Sequence, residues 1–430
     1  FTKYSWQARN PASIPLLTRR AFKVANTAPG GPTYLALSGQ ALTTEVTAEI
    51  VSGDQFLVHT RVKPAPDLIE QAAKMLLESE HPRMRVGLEM DKSKAGGEVQ
   101  ELADLLGMPI TFSGLGAGNA CREVSNQHPL FYDGKTISVV EKKKPDLTDR
   151  FDLILGVGLG DLGPDFALPP AQTTEGARRQ KRINIGLDAD DMGRSQGSDR
   201  IAVGDARESV RDLIEAVKSM ATQDRLGKLR ASRYDALVAE IKAGREQIQK
   251  DMRAHFGQRP MHPYEVASIL DEMTDADAIW INEHLGNDMD LDYPALIGYG
   301  GDGKWGFGSC GHALGWGVGA AIGAQIGAPD RQVVLNVGDG ALMFSAAGFW
   351  TMARYSVPVL TVVWNNLNYE TVRTRFHRYD GYMARSGEFA GMYLGSPEID
   401  FPMLAQSQGV GGELVDHATD LRAAMQRGLS

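Results

Sequence analysis

The stretch Gln332–Asn368, QVVLNVGDGALMFSAAGFWTMARYSVPVLTVVWNNLN, decides the fold. It opens with an apolar, β-branched run, QVVLNV, that reads as a buried strand and ends in Gly338-Asp339-Gly340. Ser345–Tyr355 has helical spacing, and Val357–Trp364 is a second apolar run that ends in Asn365-Asn366. A strand–helix–strand unit of this kind is right-handed and lays its two strands parallel, side by side or nearly so. In an open parallel sheet, ligands bind beyond the carboxyl ends of the strands. Asp339 and Asn366 stand at two such ends, 27 positions apart.

A carboxylate and an amide oxygen are hard ligands that suit Mg²⁺ or Ca²⁺, and Mg²⁺ usually takes one or two protein oxygens together with phosphate oxygens. Gly338 and Gly340 let the backbone approach a phosphate closely. A helix starting near Met343–Ser345 would offer unpaired N–H groups and a positive dipole end to a diphosphate. The residues alone therefore predict a Mg²⁺–diphosphate site. In an ordinary crossover unit the GDG would be only a tight turn and the Asn-Asn only a cap; finding both at crossover spacing favours the ligand site.

Working outward, the rest of the chain alternates in the same way. Helical spacing covers 14–25, 68–80, 98–106, 206–220 and 264–273. Strands are expected within 30–38 (buried, after a turn), 84–89, 110–113, 151–157, 182–187 and 278–282. The charged stretch 228–256, with one glycine and no proline, reads as a solvent-facing connector helix. The pattern predicts an α/β protein with parallel sheets flanked by helices. Expected domains are 1–45, 60–222 and 258–430, with 223–257 as a helical linker. The chain starts with Phe1 in what reads as the end of a domain, so further residues are expected before it.

A net charge of −9 argues against nucleic acid as the main partner. The basic runs Lys142–Lys144 and Arg178–Arg182 are short and read as solvated faces. Cys121 and Cys310 belong to no metal or redox spacing and read as reduced thiols. No apolar run approaches the ~20 residues of a membrane span. A cytoplasmic protein that touches neither membrane nor nucleic acid is expected.

The run GDG, about 25 residues, then NN resembles the thiamine-diphosphate binding motif, and its surroundings (FGSCGHALGWGVGAAIGAQIGAPDRQVVLNVGDG onward) resemble benzoylformate decarboxylase and the acetolactate synthase group. The resemblance implies a three-domain architecture. Residues 1–45 would be the end of a pyrimidine-binding domain, 60–222 a Rossmann-like central domain, and 258–430 the diphosphate-binding domain. It implies Asp339 and Asn366 as Mg²⁺ ligands through their side chains and Asn368 through its backbone carbonyl. Ala341 and Leu342 would offer amides to the diphosphate. Leu314 would be the apolar wedge that bends the coenzyme, with His312 and Ala313 against the pyrimidine. The family's catalytic glutamate would lie before Phe1. The implied reaction is addition of the coenzyme to a carbonyl carbon, with loss of CO₂ or another group. Protonation or addition to a second carbonyl follows. The expectation is a decarboxylase or carboligase acting on a 2-oxo acid or related carbonyl. An acetolactate-synthase-type acyl transferase and a 2-hydroxyacyl lyase are close alternatives. A homodimer or homotetramer is implied.

Other readings come from weaker signals. Gly158, Gly160 and Gly163 satisfy GxGxxG after a strand, with Asp188 some way on, which is a dinucleotide fingerprint and the basis of an oxidoreductase alternative. Pro164, Pro169 and Pro170 make a poor helix start there, and FAD or ADP in a central domain, or a silent relic, are the family-level expectations. Glu283 and His284 follow a strand and are candidates for facing the substrate. His377 and Tyr379 are further candidates. Benzoylformate decarboxylase uses two pocket histidines; one aligns before Phe1, and the other falls around Leu159–Pro170, where this chain has none. A non-catalytic homologue is the remaining alternative.

Overall fold

The computed structural model describes residues 2–56, 58, 61–112, 123–132, 150–160, 180–194, 197–283, 297–308, 313–377, 379 and 381–429. His284, His312, Gly163, Cys121, Cys310 and both basic runs in part or whole lie outside them. The strands in chain order are β1 (Tyr4–Ala8), β2 (Thr33–Leu37), β3 (Pro82–Val86), β4 (Ile110–Phe112), β5 (Leu153–Val157), β6 (Lys181–Gly186), β7 (Arg200–Val203), β8 (Ile279–Glu283), β9 (Trp305–Gly308), β10 (Val333–Gly338) and β11 (Leu360–Trp364). The chain divides into two compact units, 1–98 with 151–225, and 99–150 with 226–430.

In the first unit β3, β5, β6 and β7 are successive parallel neighbours. β3 and β5 are buried along their whole length, as parallel strands covered on both faces must be. Helix Ala206–Met220 starts on Asp205, whose carboxylate accepts the N–H groups of Arg207 and Glu208, and buries Val210, Leu213, Ile214 and Val217. β1 and β2 pair in parallel as a separate two-stranded sheet. The expectation of a buried strand within 30–38 fails: Tyr34 and Leu37 are exposed, because helix Ile14–Asn26 packs on a ribbon only two strands wide.

In the second unit four parallel strands run in the order β11-β10-β8-β9. Alternation divides their side chains between two cores. Ile279, Ile281, Val333, Leu335 and Val337 pack with Val318, Ala321, Phe349 and Met352 from helices Trp316–Gly327 and Gly348–Tyr355. Trp280 and Val334 point the other way, to Ala267 and Leu270 of helix Pro263–Met273 and to Leu421 and Met425 of helix Ala418–Leu429. Each fully buried aliphatic side chain contributes about 1.5–3 kcal/mol. The sheet is thus covered on both faces, and its strand ends face one way. The connector stretch forms helix Gln223–Arg253, longer than expected and not wholly solvent-facing. Leu226, Leu237, Ile241, Ile248 and Met252 recur at helical spacing and are buried on one stripe. From the same helix Arg245 donates to the carbonyls of Asn126, Gln127, His128 and Phe131. Among the described residues no helix is long and apolar enough to cross a membrane.

Candidate functional site

β10 and β11 are direct neighbours, with Gly338 opposite Trp364. Their next residues, Asp339 and Asn365-Asn366, therefore leave the sheet at the same edge. Asp339 is 3% exposed. Its Oδ1 accepts the Gly340 N–H at 2.7 Å, and its Oδ2 is buried with no hydrogen-bond partner. Burial pushes the carboxyl pKa up, and the Gly340 N–H opposes the shift without cancelling it. A buried carboxylate oxygen without a donor is costly unless something positive meets it.

The Asn365–Asn368 turn presents further oxygens to the same edge. Asn366 Oδ1 accepts the Asn368 N–H at 3.0 Å, which leaves the exposed amide oxygen a second lone pair. Asn365 Oδ1 accepts the Leu367 N–H at 3.3 Å. Leu367 is held in the left-handed region at φ 58°. The carbonyl of Leu367 accepts the Leu394 N–H, and the Tyr369 N–H donates to the Met392 carbonyl, which straps the turn to 392–394. Groups of three or more His, Cys, Asp or Glu able to hold a metal are absent among the described residues. The donor set at this edge is one carboxylate with amide and carbonyl oxygens, which suits Mg²⁺ completed by phosphate rather than a transition metal. The residues present fit a Mg²⁺–diphosphate group.

The helix after Asp339 differs from the expectation. A single helical turn spans Asp339–Leu342, residues 343–347 are turns, and the next helix begins at Gly348, not near Met343–Ser345. The amides at this helix start are consequently those of Gly340, which Asp339 Oδ1 accepts, and of Ala341 and Leu342, next to the carboxylate itself. Ser345 Oγ is buried without a partner, a polar atom that sequence reasoning passed over.

Leu314 is half-buried against the core that holds Leu335 and Leu342, and Ala313 is exposed. Gly315 has φ 91°, and a β-carbon there would lie 2.9 Å from Phe344 Cβ. The 313–315 strip is thereby brought against the loop that follows Asp339. Glu283 ends β8, opposite Val337. Its Oε1 accepts from the N–H groups of Gly315 (2.5 Å) and Trp316 (3.1 Å), and its Oε2 from Gly317 (2.7 Å). The carboxylate caps helix Trp316–Gly327 from a distant strand; burial raises its pKa and the three amides oppose the rise. Glu283 is 4% exposed and engaged in this cap. The His377 ring packs on Phe389 with centroids 4.5 Å apart, and Tyr379 is exposed.

At the glycine-rich turn after β5, an internal carboxylate holds the strand ends together. The Gly87 N–H donates to the Val157 carbonyl, and the Glu89 N–H to the Gly158 carbonyl. Glu89 Oε2 accepts the Leu187 N–H beyond β6 at 2.8 Å, and burial raises its pKa. This is where a dinucleotide fold would offer amides to a pyrophosphate. Among the described residues there, the Leu187 amide is already taken by Glu89.

The family profiles described as "Thiamine pyrophosphate enzyme, central domain" and "Thiamine pyrophosphate enzyme, C-terminal TPP binding domain" match residues 69–213 and 300–430. A probable acetolactate synthase large subunit of Methanocaldococcus jannaschii is 24% identical over all of this chain and 69% of its own length. A benzoylformate decarboxylase of Pseudomonas aeruginosa is 25% identical over all of this chain and 74% of its own length. Among solved structures, the thiamine diphosphate-dependent 4-hydroxybenzoylformate decarboxylase of Rhodococcus jostii shares the fold with a TM-score of 0.72 and 22% identity. That match covers all of this chain and 74% of the other.

Proposed function

The chain belongs to the thiamine pyrophosphate-dependent enzymes, with relatives of decarboxylase and acetolactate synthase type, and from that premise we propose a Mg²⁺-dependent enzyme that cleaves or forms a carbon–carbon bond at the carbonyl of a 2-oxo acid or related substrate. The observation that carries the metal half of this reading is the partnerless, buried Oδ2 of Asp339 beside the Asn365-Asn366 turn. Asp339 and Asn366 side chains and the Asn368 carbonyl hold Mg²⁺. Gly338, Gly340 and the amides of Ala341 and Leu342 receive the diphosphate, and Leu314, with His312 and Ala313, supports the ring system. When bound, the coenzyme would supply an electron sink for the carbonyl carbon, which keeps the electron pair of the broken carbon–carbon bond. The protein's part is to orient it, neutralise its phosphates and exclude water.

The relatives' names divide between benzoylformate decarboxylase, acetolactate synthase and sulfoacetaldehyde acetyltransferase at 23–25% identity. That division favours carbon–carbon chemistry at a carbonyl as the shared step and leaves decarboxylase and acyl-transferring outcomes as two readings. A CO₂-release assay over a panel of 2-oxo acids, with and without an acceptor aldehyde or oxo acid, separates them. Phe344, beside Gly315, is 62% exposed, and Trp350 and Tyr355 on the helix that follows are 56% and 69% exposed. Large exposed aromatics of this kind mark interfaces, which supports a homodimer or homotetramer; sedimentation velocity reads the state directly. The decisive experiment is coenzyme titration with and without Mg²⁺ on the parent chain and on Asp339→Ala. Undiminished Mg²⁺-dependent binding in the variant would sink the site assignment.

A further inference from the structure

A row of buried polar side chains crosses the second unit's sheet just short of the candidate ligands. Trp364 Nε1 donates to Asn336 Oδ1 at 3.4 Å. Asn336 Nδ2 donates to Asn282 Oδ1 at 3.1 Å, and Asn282 Nδ2 reaches the Tyr299 hydroxyl at 3.5 Å. Asn336 is fully buried, Tyr299 is 2% exposed, Asn282 6% and Trp364 9%. Asn336 lies opposite Asn282 on β8 and Val362 on β11, and Trp364 lies opposite Gly338. Asn336 comes three residues before Asp339 on β10, and Trp364 two before Asn366 on β11.

The positions two residues back on the same face are Val334 and Trp280, so apolar residues pack there without difficulty. A buried amide costs about 1–3 kcal/mol when it is left unbonded, whereas a matched apolar replacement of both partners can be neutral. Burial alone does not explain the row. It distinguishes one register from others. Apart from Asn336 and Thr361, VVLNV and LTVVW are apolar, and sliding β11 by two residues would keep every side chain on its face. That slide would carry Asn366 roughly 6–7 Å along the strand from Asp339, at about 3.3 Å per residue. It would also break the indole–amide bond, which has a partner only in the observed register.

We propose that Asn336 and Trp364 are positioning residues: their hydrogen bond fixes β10 against β11 and so holds Asn366 beside Asp339 for the metal. The proposal rests on the Mg²⁺–diphosphate reading given above. Neither side chain touches metal or coenzyme; both act on the relative position of the two groups that do.

The test uses the full chain, titrated with Mg²⁺ at saturating thiamine diphosphate and read by near-ultraviolet circular dichroism. The metal-free thermal midpoint is measured separately. Trp364→Phe removes the indole N–H and keeps an aromatic ring, while Asn336→Leu removes both amide functions at similar volume. Each is expected to raise the Mg²⁺ half-saturation concentration roughly ten- to a hundredfold, the usual effect of losing a group that orients a metal ligand. The double variant is expected to be no worse than the weaker-binding single, because the two share one bond. A purely structural role would lower the thermal midpoint and leave half-saturation unchanged. That result in Trp364→Phe, the milder variant, overturns the proposal and leaves the function reading standing. Effects that simply add in the double variant overturn it as well. Absence of Mg²⁺-dependent binding in the parent chain overturns the function reading itself, and this proposal with it.

Discussion

The ring of Tyr369 lies on the bare α-carbon of Gly340, so close that a β-carbon there would meet Tyr369 Cε1 at 2.3 Å. The residue that follows the candidate metal ligand on one strand is thus covered by a residue that follows the Asn-Asn turn of the other. Gly340→Ala must push Tyr369 away, and with it the 366–369 turn. The expected result is a loss of about 1–3 kcal/mol, as for other overpacked sites, together with weaker Mg²⁺-dependent coenzyme binding. Thermal melts and coenzyme titration check both. A variant that melts and binds like the parent would show that the contact is not binding the two turns together.

On the proposed reading, Asp339 costs the metal-free protein stability and is needed by the loaded one. Burial raises its carboxyl pKa, so the charged form is disfavoured when no cation is present. Asp339→Asn keeps an oxygen for the Gly340 N–H and removes the charge. The variant is expected to melt at or above the parent's temperature without metal and to gain nothing from Mg²⁺ and coenzyme. A drop in metal-free stability would contradict this account of the buried oxygen.

Leu367 is a side chain other than glycine held at φ 58°. That conformation costs roughly 1 kcal/mol or more for a residue with a β-carbon. Leu367→Gly is expected to leave the turn in place and to change stability by about +1 kcal/mol or less, because glycine also loses more chain entropy on folding. Leu367→Val, branched and unsuited to positive φ, is expected to destabilise by more than 1 kcal/mol. Urea unfolding of the two variants side by side measures the difference, and equal stabilities would argue against strain at this position.

His262 begins helix Pro263–Met273, and its Nδ1 accepts the Tyr264 N–H at 3.3 Å. Its ring stacks on His255 at 4.4 Å and meets the Tyr264 ring at 4.6 Å. Burial first, and His255 second, hold its pKa below the usual histidine value. The unfolded chain therefore takes up the proton before the folded one does. The contribution of the cap is complete above about pH 6.5 and is lost as pH falls below that value towards the folded pKa. Lowering the pH from 7.5 to 5.5 is therefore expected to lower the stability measured by urea unfolding. His262→Asn, which caps without titrating, should flatten that slope. A slope that persists unchanged in the variant assigns the effect elsewhere.

Much of this architecture was legible because period and punctuation agree. The apolar runs around Val334 and Ile279 are buried strands, the run around Leu360 is a half-buried strand at the sheet edge, and Gly338-Asp339-Gly340 does end one of them. What was not legible depends on contacts between elements far apart in the chain. Glu283 reads in sequence as a polar residue at a strand end, yet its carboxylate is used by the amides of Gly315–Gly317, more than thirty positions later. The glycines near Gly158 match a dinucleotide fingerprint, yet Glu89, about seventy positions earlier, occupies the strand ends. The helix start near Ser345 was misplaced because the turns at 343–347 carry no glycine or proline to announce them. Tyr369 gave no signal, since nothing in a tyrosine three residues after an Asn-Asn pair says what its ring will cover.

Asp339 and Asn366 meet through one strand–helix–strand loop and no longer excursion of the chain. Contacts of low sequence separation form early in folding, and the entropy lost in closing a loop grows only with the logarithm of its length. The pair of oxygens that would grip the metal is therefore among the first parts of this sheet able to assemble, before β8 and β9, which come from earlier in the chain, have docked. On the proposed reading, magnesium and coenzyme would engage a chain that is still folding and favour its native sheet. Refolding with both present is then expected to yield active molecules faster than refolding without them.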